Sequence, residues 1–354
     1  MTHEKKTIGI FGGGQLGMLL AEAAKNIGFE TNIYCPDHES PAFKFATNQT
    51  IAEYNDKQIL VQFIKSVDYI TIEFENIPQN TINFIAKSGK LFPSSDAIKI
   101  SQDRLMEKDF CVENHIATNE YTDVVNISDL SHWNYDKKSV IKTRQLGYDG
   151  KGQRVINTKS EAEQAFKEFG NRPCILEEFV DFAIEVSTIS ARDTHGNTFT
   201  YPPSENIHKN HILNTSCVPA SIDQKTENTL YEISKKMIKN LNYIGVLAIE
   251  FFVLKDNSIL VNEIAPRVHN SGHWTLDGAD ISQFEQHIRA ISQLKILNPK
   301  LIFKTKMLNL IGDDVNIWKD KNSSKNEKIY IYGKTETKMG RKMGHVNFLE
   351  EFKY

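Results

Sequence analysis

Apolar strands alternate with amphipathic helices through the first part of the chain, and this alternation limits the folds open to it. Residues 8–11 are an apolar strand, the glycines that follow lead into a helix over 15–26, and 31–34 is the next strand. Residues 57–65 then predict a helix and 69–74 a strand. Consecutive strands joined by helices lie parallel in one sheet. We therefore expect a Rossmann-like domain over residues 1–100.

The pattern changes further along the chain, where strands dominate. Apolar stretches predict strands at 139–143, 153–157, 175–180, 184–191, 248–254 and 259–265. Amphipathic helices are predicted at 103–114, 227–241 and 281–294, and short strands after residue 300. The fold class is therefore predicted as α/β and α+β, with a second domain over 101–297 and a small β-rich domain over 298–354.

The composition gives no sign of a nucleic-acid or membrane partner. The 354 residues include 42 lysines and arginines against 45 aspartates and glutamates, a net charge of −3. Cys35, Cys111, Cys174 and Cys217 are too scattered for a disulfide framework or a zinc site. Apolar runs are too short for a membrane span and, at the N-terminus, for a signal peptide. We expect a cytoplasmic protein.

Two glutamates fall at positions that face each other in a predicted β-hairpin. The strands 248–254 and 259–265 flank a polar tip, so Leu254 should face Ile259 and Glu250 should face Glu263. Side chains opposed in this way have Cβ atoms about 4.5–5.5 Å apart, and two such carboxylates repel each other. A cation between them relieves the repulsion, and oxygen ligands favour Mg²⁺. The alternative is a pair of exposed glutamates on the outer face of the hairpin.

A glycine-rich loop between two strands is a candidate phosphate-binding flap. Lys142 lies in the strand 139–143, and glycines follow at 147, 150 and 152. Backbone N–H groups of such a loop can approach phosphate oxygens, while Lys142 and Lys151 supply positive charge. The loop joins strand to strand and lacks the P-loop pattern. The alternative is an ordinary hairpin with a glycine bulge.

The end of the strand 175–180 is a candidate adenine-binding edge. It carries the sequence Glu177-Glu178-Phe179-Val180, and Glu185 follows shortly after. A free strand edge offers backbone donors and acceptors to a base, and a nearby carboxylate can hold ribose hydroxyls.

An earlier glycine loop, Gly12-x-Gly14-x-x-Gly17, follows a strand and opens a helix. With Asp37 about 20 residues further on, it meets the dinucleotide-binding pattern. An NAD-dependent oxidoreductase is therefore one alternative function. The other interpretation is a tight turn in a Rossmann-like domain that binds no nucleotide.

The lysine strand, glycine flap, hinge strand and carboxylate hairpin occur in the order of the ATP-grasp superfamily. Within it, nearly the whole chain resembles the 5-(carboxyamino)imidazole ribonucleotide synthase family of purine biosynthesis. The shared motifs are Gly12-Gly-Gly-Gln-Leu-Gly17, Glu73-Phe-Glu75-Asn76, Gly147-Tyr-Asp-Gly-Lys-Gly-Gln153, Pro203-Ser-Glu-Asn-Ile-His208, Asn262-Glu-Ile-Ala-Pro-Arg-Val-His-Asn-Ser-Gly-His-Trp274 and Gly340-Arg-Lys-Met-Gly-His345. Met18 stands where the family usually has arginine, so a positive charge near the first glycine loop is missing.

The resemblance implies an ATP-grasp fold with an N-terminal Rossmann-like domain, and a site for ATP with Mg²⁺. The implied ATP contacts are Arg104, Lys142, Gly147, Tyr148, Asp149, Gly150, Lys151, Gly152, Gln153, Glu177, Glu178, Phe179, Val180, Glu185, His208, Asn262 and Glu263. The implied Mg²⁺ ligands are Glu250 and Glu263.

The resemblance also implies a reaction and an oligomeric state. Such enzymes make carboxyphosphate from ATP and bicarbonate and then carboxylate the exocyclic amine of 5-aminoimidazole ribonucleotide. The implied substrate contacts are Glu75, Tyr148, Arg267, His269, Arg341 and Lys342, and the implied catalytic residues are Asp149, Arg267 and Lys342. Relatives are commonly homodimers, which implies a homodimer here.

Two further functions stay open at this point. A related ATP-grasp ligase, such as formate-dependent glycinamide ribonucleotide transformylase, would release ADP with formate instead of bicarbonate. A non-catalytic nucleotide sensor would bind ATP without turnover.

Overall fold

The N-terminal elements form a parallel sheet flanked by helices. The computed structural model describes residues 5–147 and 151–352. The first elements are β1 (Thr7–Phe11), α1 (Gln15–Asn26), β2 (Glu30–Tyr34), β3 (Asn48–Thr50), α2 (Lys57–Ser66), β4 (Tyr69–Ile72), α3 (Gln79–Ala86) and α4 (Ser95–Gln102). The strand order is β3-β2-β1-β4, and each pairing is parallel. The alternating pattern predicted this sheet, and the prediction is confirmed.

The next elements build a small antiparallel sheet. They are α5 (Arg104–Glu113), β5 (Tyr121–Val124), β6 (Ser139–Thr143), β7 (Gln153–Ile156), α6 (Lys159–Glu168) and β8 (Cys174–Glu178). The strand order is β5-β8-β6-β7. The sequence patterns did not predict α6, which begins with a capping box between Thr158 and Glu161. The loop between β6 and β7 is the glycine-rich flap.

The remaining strands belong to one large sheet. They and their helices are β9 (Ile184–Arg192), β10 (Thr198–Thr200), β11 (Ser204–Lys209), β12 (Ile212–Val218), α7 (Gln224–Asn240), β13 (Gly245–Val253), β14 (Ile259–Ala265), α8 (Thr275–Gly278), α9 (Gln283–Ile291), β15 (Lys304–Ile311), α10 (Val315–Trp318), β16 (Glu327–Ile331) and β17 (Lys342–Glu350). The order is β14-β13-β9-β11-β12-β15-β17-β16, with β10 beside β9. The predicted C-terminal strands thus extend the central sheet, while the domain limits at 100 and 297 stay predictions.

Polar side chains cap the helices that approach the site. Asp103 accepts a hydrogen bond from the N–H of Leu105 at the start of α5, and Ser282 accepts one from the N–H of Glu285 at the start of α9.

Among residues 5–147 and 151–352, no helix has the length and apolar character needed to cross a membrane.

A buried histidine joins the N-terminal sheet to the large sheet. The Nδ1 atom of His287 accepts the N–H of Val246 on β13 at 2.9 Å. The proton therefore sits on Nε2, which lies 2.8 Å from the hydroxyl of Thr71 on β4 and donates to it. Residues that follow β4 are in this way held close to the residues of β13.

Candidate active site

The carboxylate hairpin forms with Glu250 directly opposite Glu263, as the sequence predicted. The prediction that Leu254 faces Ile259 is wrong, because Val253 faces Ile259 instead. A wider turn closes the hairpin, with Asn257 at a φ of 65° and the N–H of Leu254 donating to the carbonyl of Ser258. A β-bulge then inserts one extra residue between Val261 and Glu263 and restores the pairing of the two glutamates.

The bulge brings neighbouring side chains to one side of the strand. The extra residue is Asn262, and Asn262 and Glu263 both line the same cavity. In a regular strand, consecutive side chains would point to opposite faces. Alternation in the sequence alone could not have placed this asparagine beside the glutamates.

The two facing glutamates have opposite electrostatic environments. Glu250 is buried, and burial, followed by the charge of Glu263, raises its pKa well above the ordinary value. Burial alone would also raise the pKa of Glu263, but Arg104 outweighs it and the pKa is lowered. The Nη1 atom of Arg104 lies 3.0 Å from Oε2 of Glu263. Glu250 is thus the member of the pair that lacks a strong cationic neighbour.

A divalent cation fits the surroundings of Glu250. Among the described residues, Glu185, His208 and Glu250 bring one possible ligand atom each to within 4.8 Å of one another. Glu263 completes the acidic surface from across the hairpin. A carboxylate whose pKa is raised by burial and by another carboxylate is stabilised as an anion when a cation binds. The donor set is rich in oxygen, which suits Mg²⁺ better than a softer metal.

A second charged network lies under the predicted adenine edge. Glu177 is buried at the end of β8, and its Oε2 accepts hydrogen bonds from Lys142 at 2.9 Å and Asn119 at 2.8 Å. Burial would raise the pKa of Glu177, but the charges of Lys142 and Lys108 outweigh it and lower the pKa to about 2. The Lys142 side chain is therefore held in place by a partner that is ionised at neutral pH.

One cavity of 880 Å³ collects most of the predicted site residues. Those that line it are Glu75, Arg104, Lys142, Gly147, Lys151, Gln153, Glu177, Glu178, Phe179, Val180, Glu185, His208, Glu250, Asn262, Glu263, Arg267, His269 and Lys342. Gly152 and Arg341 do not line it. The predicted residues Tyr148, Asp149 and Gly150 lie outside the described part of the chain.

An arginine that follows β14 and a glutamate that follows β4 form a two-point ion pair in the cavity. The Nε and Nη2 atoms of Arg267 lie 2.5 and 3.2 Å from the two carboxylate oxygens of Glu75. His269 lies nearby, with its Nε2 atom 3.6 Å from Oε1 of Glu250. Burial, then the charge of Arg267, lowers the pKa of His269 to about 3, so the imidazole is neutral at physiological pH. Lys342, the first residue of β17, also lines this cavity.

Several cavity residues were missed by the sequence analysis. Phe182 and Phe252 stack with ring centroids 4.7 Å apart and contribute to an apolar wall. Gln15, Asn119, Arg144 and Asn270 add polar groups. Two of them lie in motifs already noted, since Gln15 is inside the first glycine loop and Asn270 follows His269. The aromatic pair gives no local signal, because the two rings come from separate segments of the chain.

The first glycine loop already binds a carboxyl group from the protein itself. The carboxylate of Glu73 accepts the N–H of Gly14 at 2.8 Å and of Gly17 at 3.1 Å. A Cβ atom on Gly12 would lie 2.4 Å from the Glu73 side chain. The donors that would bind a pyrophosphate at this helix N-terminus are therefore occupied, which argues against the NAD-dependent alternative. The side chain of Met18 is buried in the core.

Comparisons with known proteins identify the family. Residues 5–102 match the ribonucleotide synthetase preATP-grasp domain, 109–284 the ATP-grasp domain, and 305–353 the phosphoribosylaminoimidazole carboxylase C-terminal domain. The N5-carboxyaminoimidazole ribonucleotide synthase of Brucella melitensis is 44% identical over 96% of this chain and 95% of the relative. The chain belongs to the N5-carboxyaminoimidazole ribonucleotide synthase family. The family resemblance of the sequence motifs is thereby confirmed.

Solved structures of the N5-carboxyaminoimidazole ribonucleotide synthase family support the fold. The Staphylococcus aureus N5-carboxyaminoimidazole synthetase complexed with ADP is 34% identical, covers 99% of this chain and 95% of its own, and has a TM-score of 0.92. The Aspergillus clavatus enzyme in complex with ADP and 5-aminoimidazole ribonucleotide is 27% identical, covers 98% and 94%, and has a TM-score of 0.90. As a member of this family, the chain is an ATP-grasp ligase.

Proposed function

We propose that this chain uses ATP and bicarbonate to convert 5-aminoimidazole ribonucleotide into 5-(carboxyamino)imidazole ribonucleotide in purine biosynthesis, by way of carboxyphosphate. The observation that carries the proposal is one cavity lined both by Arg104, Lys142 and Glu263 and by Glu75 and Arg267. A phosphorylated intermediate can then form and react without leaving the protein.

The ATP half of the cavity has an apolar part and a charged part. The predicted free strand edge is wrong, because β8 pairs with β5 and β6 and the N–H groups of Glu178 and Phe179 already donate to the carbonyls of Glu120 and Lys138. The adenine ring would instead lie between the apolar wall of Phe182 and Phe252 and the chain just past the end of β8, at Phe179 and Val180. Lys142 and Arg104 then face the phosphates as fixed positive charges, because each is held by a carboxylate. Charges fixed before the reaction stabilise developing negative charge without reorganisation.

We propose Mg²⁺ as the cation that binds with ATP, with Glu250 and Glu263 as its ligands. The raised pKa of Glu250 supports this assignment, because a cation close to that buried carboxylate would keep it ionised. When bound, the ion would neutralise phosphate oxygens and help to align them. Arg104 already pairs with Glu263 and would remain within reach of the same phosphate oxygens.

The chemistry needs two displacements. An oxygen of bicarbonate bonds to the γ-phosphorus of ATP as the bond to the bridging oxygen breaks, and ADP leaves. The exocyclic nitrogen of the ribonucleotide then bonds to the carboxyl carbon as inorganic phosphate leaves, and the nitrogen gives up a proton. We propose Asp149 as the base for that proton. We propose that Arg267, which lines the cavity, binds the oxyanion of the acyl phosphate.

The ribonucleotide is proposed to lie at the end of the cavity lined by Glu75, His269 and Lys342. The neutral imidazole of His269 can donate or accept a hydrogen bond without repelling the cations around it. Lys342 offers a point charge for an anionic group. We propose that Arg341 contacts the 5′-phosphate of the ribonucleotide. Arg341 does not line the cavity, so this contact requires the loop before β17 to move toward it.

An acceptor-exchange assay tests the proposed function. Purified protein is given Mg-ATP with each combination of bicarbonate or formate and 5-aminoimidazole ribonucleotide or glycinamide ribonucleotide, and ADP release is followed. We expect rapid release only with bicarbonate and 5-aminoimidazole ribonucleotide together. Release with formate and glycinamide ribonucleotide would favour the transformylase alternative, and ATP binding without release in any combination would favour a sensor.

Family membership supports two further proposals about the state of the protein in the cell. We propose that it is a homodimer, which sedimentation velocity over a range of concentrations can test. We also propose that it works in the cytoplasm, where ATP and purine precursors are available.

A further inference from the structure

Lys108 is a buried lysine that none of the site assignments includes. Lys108 lies on α5 and is 1% exposed, and its ammonium group has four oxygen atoms within hydrogen-bond distance of its three N–H donors. These are Oγ1 of Thr118 and Oδ1 of Asn119, each at 2.7 Å, and the backbone carbonyls of Val261 at 3.2 Å and Asn262 at 3.0 Å. Burying an ammonium group costs free energy unless such acceptors surround it.

The two backbone carbonyls that Lys108 contacts belong to the bulge of β14. In a regular strand, successive carbonyl groups point to opposite edges, so one ammonium group cannot reach both. Val261 and Asn262 flank the β-bulge of β14, where the backbone is bent out of that alternation. Lys108 thus binds both carbonyls at the bulge of this terminal strand.

The neighbouring residue on α5 binds the other flank of the same bulge. The carboxylate of Glu107 is buried and accepts the backbone N–H of Ile264. Arg104 lies one helical turn before Glu107 and Lys108, on the same face of α5. Its side chain pairs with Glu263. One face of α5 therefore contacts every residue of β14 from Val261 to Ile264.

The bulge determines which side chains of β14 reach the active site. Because of the extra residue, Asn262 and Glu263 both line the cavity, although they are consecutive in the sequence. Loss of the bulge would turn one of them to the opposite face or shift the pairing of Glu250 with Glu263.

We infer that Lys108 is a positioning residue that, together with Glu107, keeps the β14 bulge in the form that directs Asn262 and Glu263 toward Mg-nucleotide. Lys108 itself need not contact the substrate. The inference rests on the proposed function, since it concerns the residues assigned there to ATP and Mg²⁺.

The test compares Lys108→Met with the wild-type protein. Methionine has a similar length but no donor, so the Asn262 carbonyl loses the ammonium group and the Val261 carbonyl keeps only the hydroxyl of Thr118. Calorimetric titration with ADP, with Mg²⁺ and again with EDTA, measures how much the ion strengthens nucleotide binding. We expect this Mg²⁺-dependent gain to fall roughly tenfold, since an unpaired buried carbonyl costs about 1–3 kcal/mol. In the ADP-release assay, the Mg²⁺ concentration at half-maximal rate should rise, while the KM for the ribonucleotide changes less than about twofold.

Lys90→Met is the matched control. The ammonium group of Lys90 also donates to two backbone carbonyls, those of Ile64 at 2.8 Å and Val67 at 2.6 Å, but in the N-terminal domain. We expect it to lower the melting temperature without changing Mg²⁺-dependent nucleotide binding. If Lys108→Met behaves in the same way, its role is only structural and the inference is wrong.

A milder variant covers the case in which Lys108→Met does not fold. Thr118→Val removes only the hydroxyl that donates to the Val261 carbonyl at 2.9 Å and accepts from Lys108. It should shift Mg²⁺-dependent binding in the same direction by a smaller factor, and an unchanged value would overturn the inference. If wild-type protein itself showed no Mg²⁺-dependent nucleotide binding, the proposed function would fail first.

Discussion

Identical side chains in the site differ in charge behaviour because their neighbours differ. Glu250 and Glu263 face each other, yet burial raises the pKa of the first and Arg104 lowers that of the second. Glu177 is as deeply buried as Glu250, but two lysines keep it ionised. Local partners, more than depth of burial, therefore decide which carboxylate can serve as a cation ligand.

The role of Glu263 can be tested with Glu263→Gln. The amide removes one negative charge facing Glu250, so Mg²⁺ should bind more weakly and kcat should fall at least about tenfold. ADP binding in EDTA should change by only a few-fold, because the apolar wall and the hinge are unaltered. Calorimetry and the ADP-release assay measure the two effects.

Glu232→Gln on the exposed face of α7 makes the same chemical change away from the cavity. It should leave both measurements at wild-type values. Near-normal turnover of Glu263→Gln at every Mg²⁺ concentration would contradict the metal assignment.

At the scale of elements, the site depends on irregularities in regular structure. The flap returns to β7 through Gly152, which has a φ of +71° and whose carbonyl accepts the N–H of Thr143. The bulge of β14 and the turn at Asn257 set the hairpin register together. Each of these features departs from an ideal strand, and together they fix the base of the flap and the position of Glu263 opposite Glu250.

We predict that Gly152→Ala impairs ATP use more than stability. A Cβ atom there would lie 2.6 Å from Oγ1 of Thr143, and a left-handed backbone costs an alanine about 1–2 kcal/mol. The base of the flap must shift, so the KM for ATP should rise roughly fivefold or more. Steady-state kinetics and thermal unfolding measure the two effects.

Gly170→Ala provides the comparison, because Gly170 also has a positive φ, of +77°, but no close contact at its Cβ position and no place in the cavity. It should cost similar stability and leave the KM for ATP unchanged. An equal KM for both variants would argue against a role of the flap base in binding ATP.

The sequence predicted the regular elements of the structure better than the irregular ones. Periodicity predicted the parallel sheet, and motif order placed Lys142, Glu250 and Glu263 in one site. Periodicity did not predict β11 and β12, whose polar residues resemble a loop. It also could not predict the bulge at Asn262 or the occupation of the first glycine loop by Glu73, since both depend on contacts between distant segments.

At the scale of the whole molecule, the cavity exists because the N-terminal sheet is fixed against the large sheet. Glu75 follows β4 of the first sheet and Arg267 follows β14 of the second, and the two side chains form an ion pair. His287 makes a second link between the sheets through Thr71 and Val246. The geometry of the ribonucleotide end thus depends on contacts far from the chemistry.

His287 should make the protein sensitive to acid. Burial lowers its pKa to about 3, whereas an exposed histidine titrates near 6.5, so between these values the unfolded chain binds a proton that the folded chain does not. The free energy of unfolding must therefore fall as the pH drops below 6.5, by about 2 kcal/mol from this group at pH 5. His287→Gln, which can keep both hydrogen bonds, should flatten the pH dependence over this range.

Urea unfolding at several pH values gives the slope for each protein. His38→Gln, at an exposed position, should keep the wild-type slope. If His287→Gln also kept it, His287 would not be the buried neutral imidazole described above.

The central claim is that one cavity couples ATP cleavage to carboxylation of the ribonucleotide. The most direct measurement follows ADP release and ¹³C transfer together, with ¹³C-bicarbonate, Mg-ATP and 5-aminoimidazole ribonucleotide, using NMR to detect the carbamate on the exocyclic nitrogen. The account predicts one labelled carbamate for each ADP at early times, and little ADP when the ribonucleotide is omitted. ADP release at the same rate without the ribonucleotide, or release with no labelled carbamate, would contradict it.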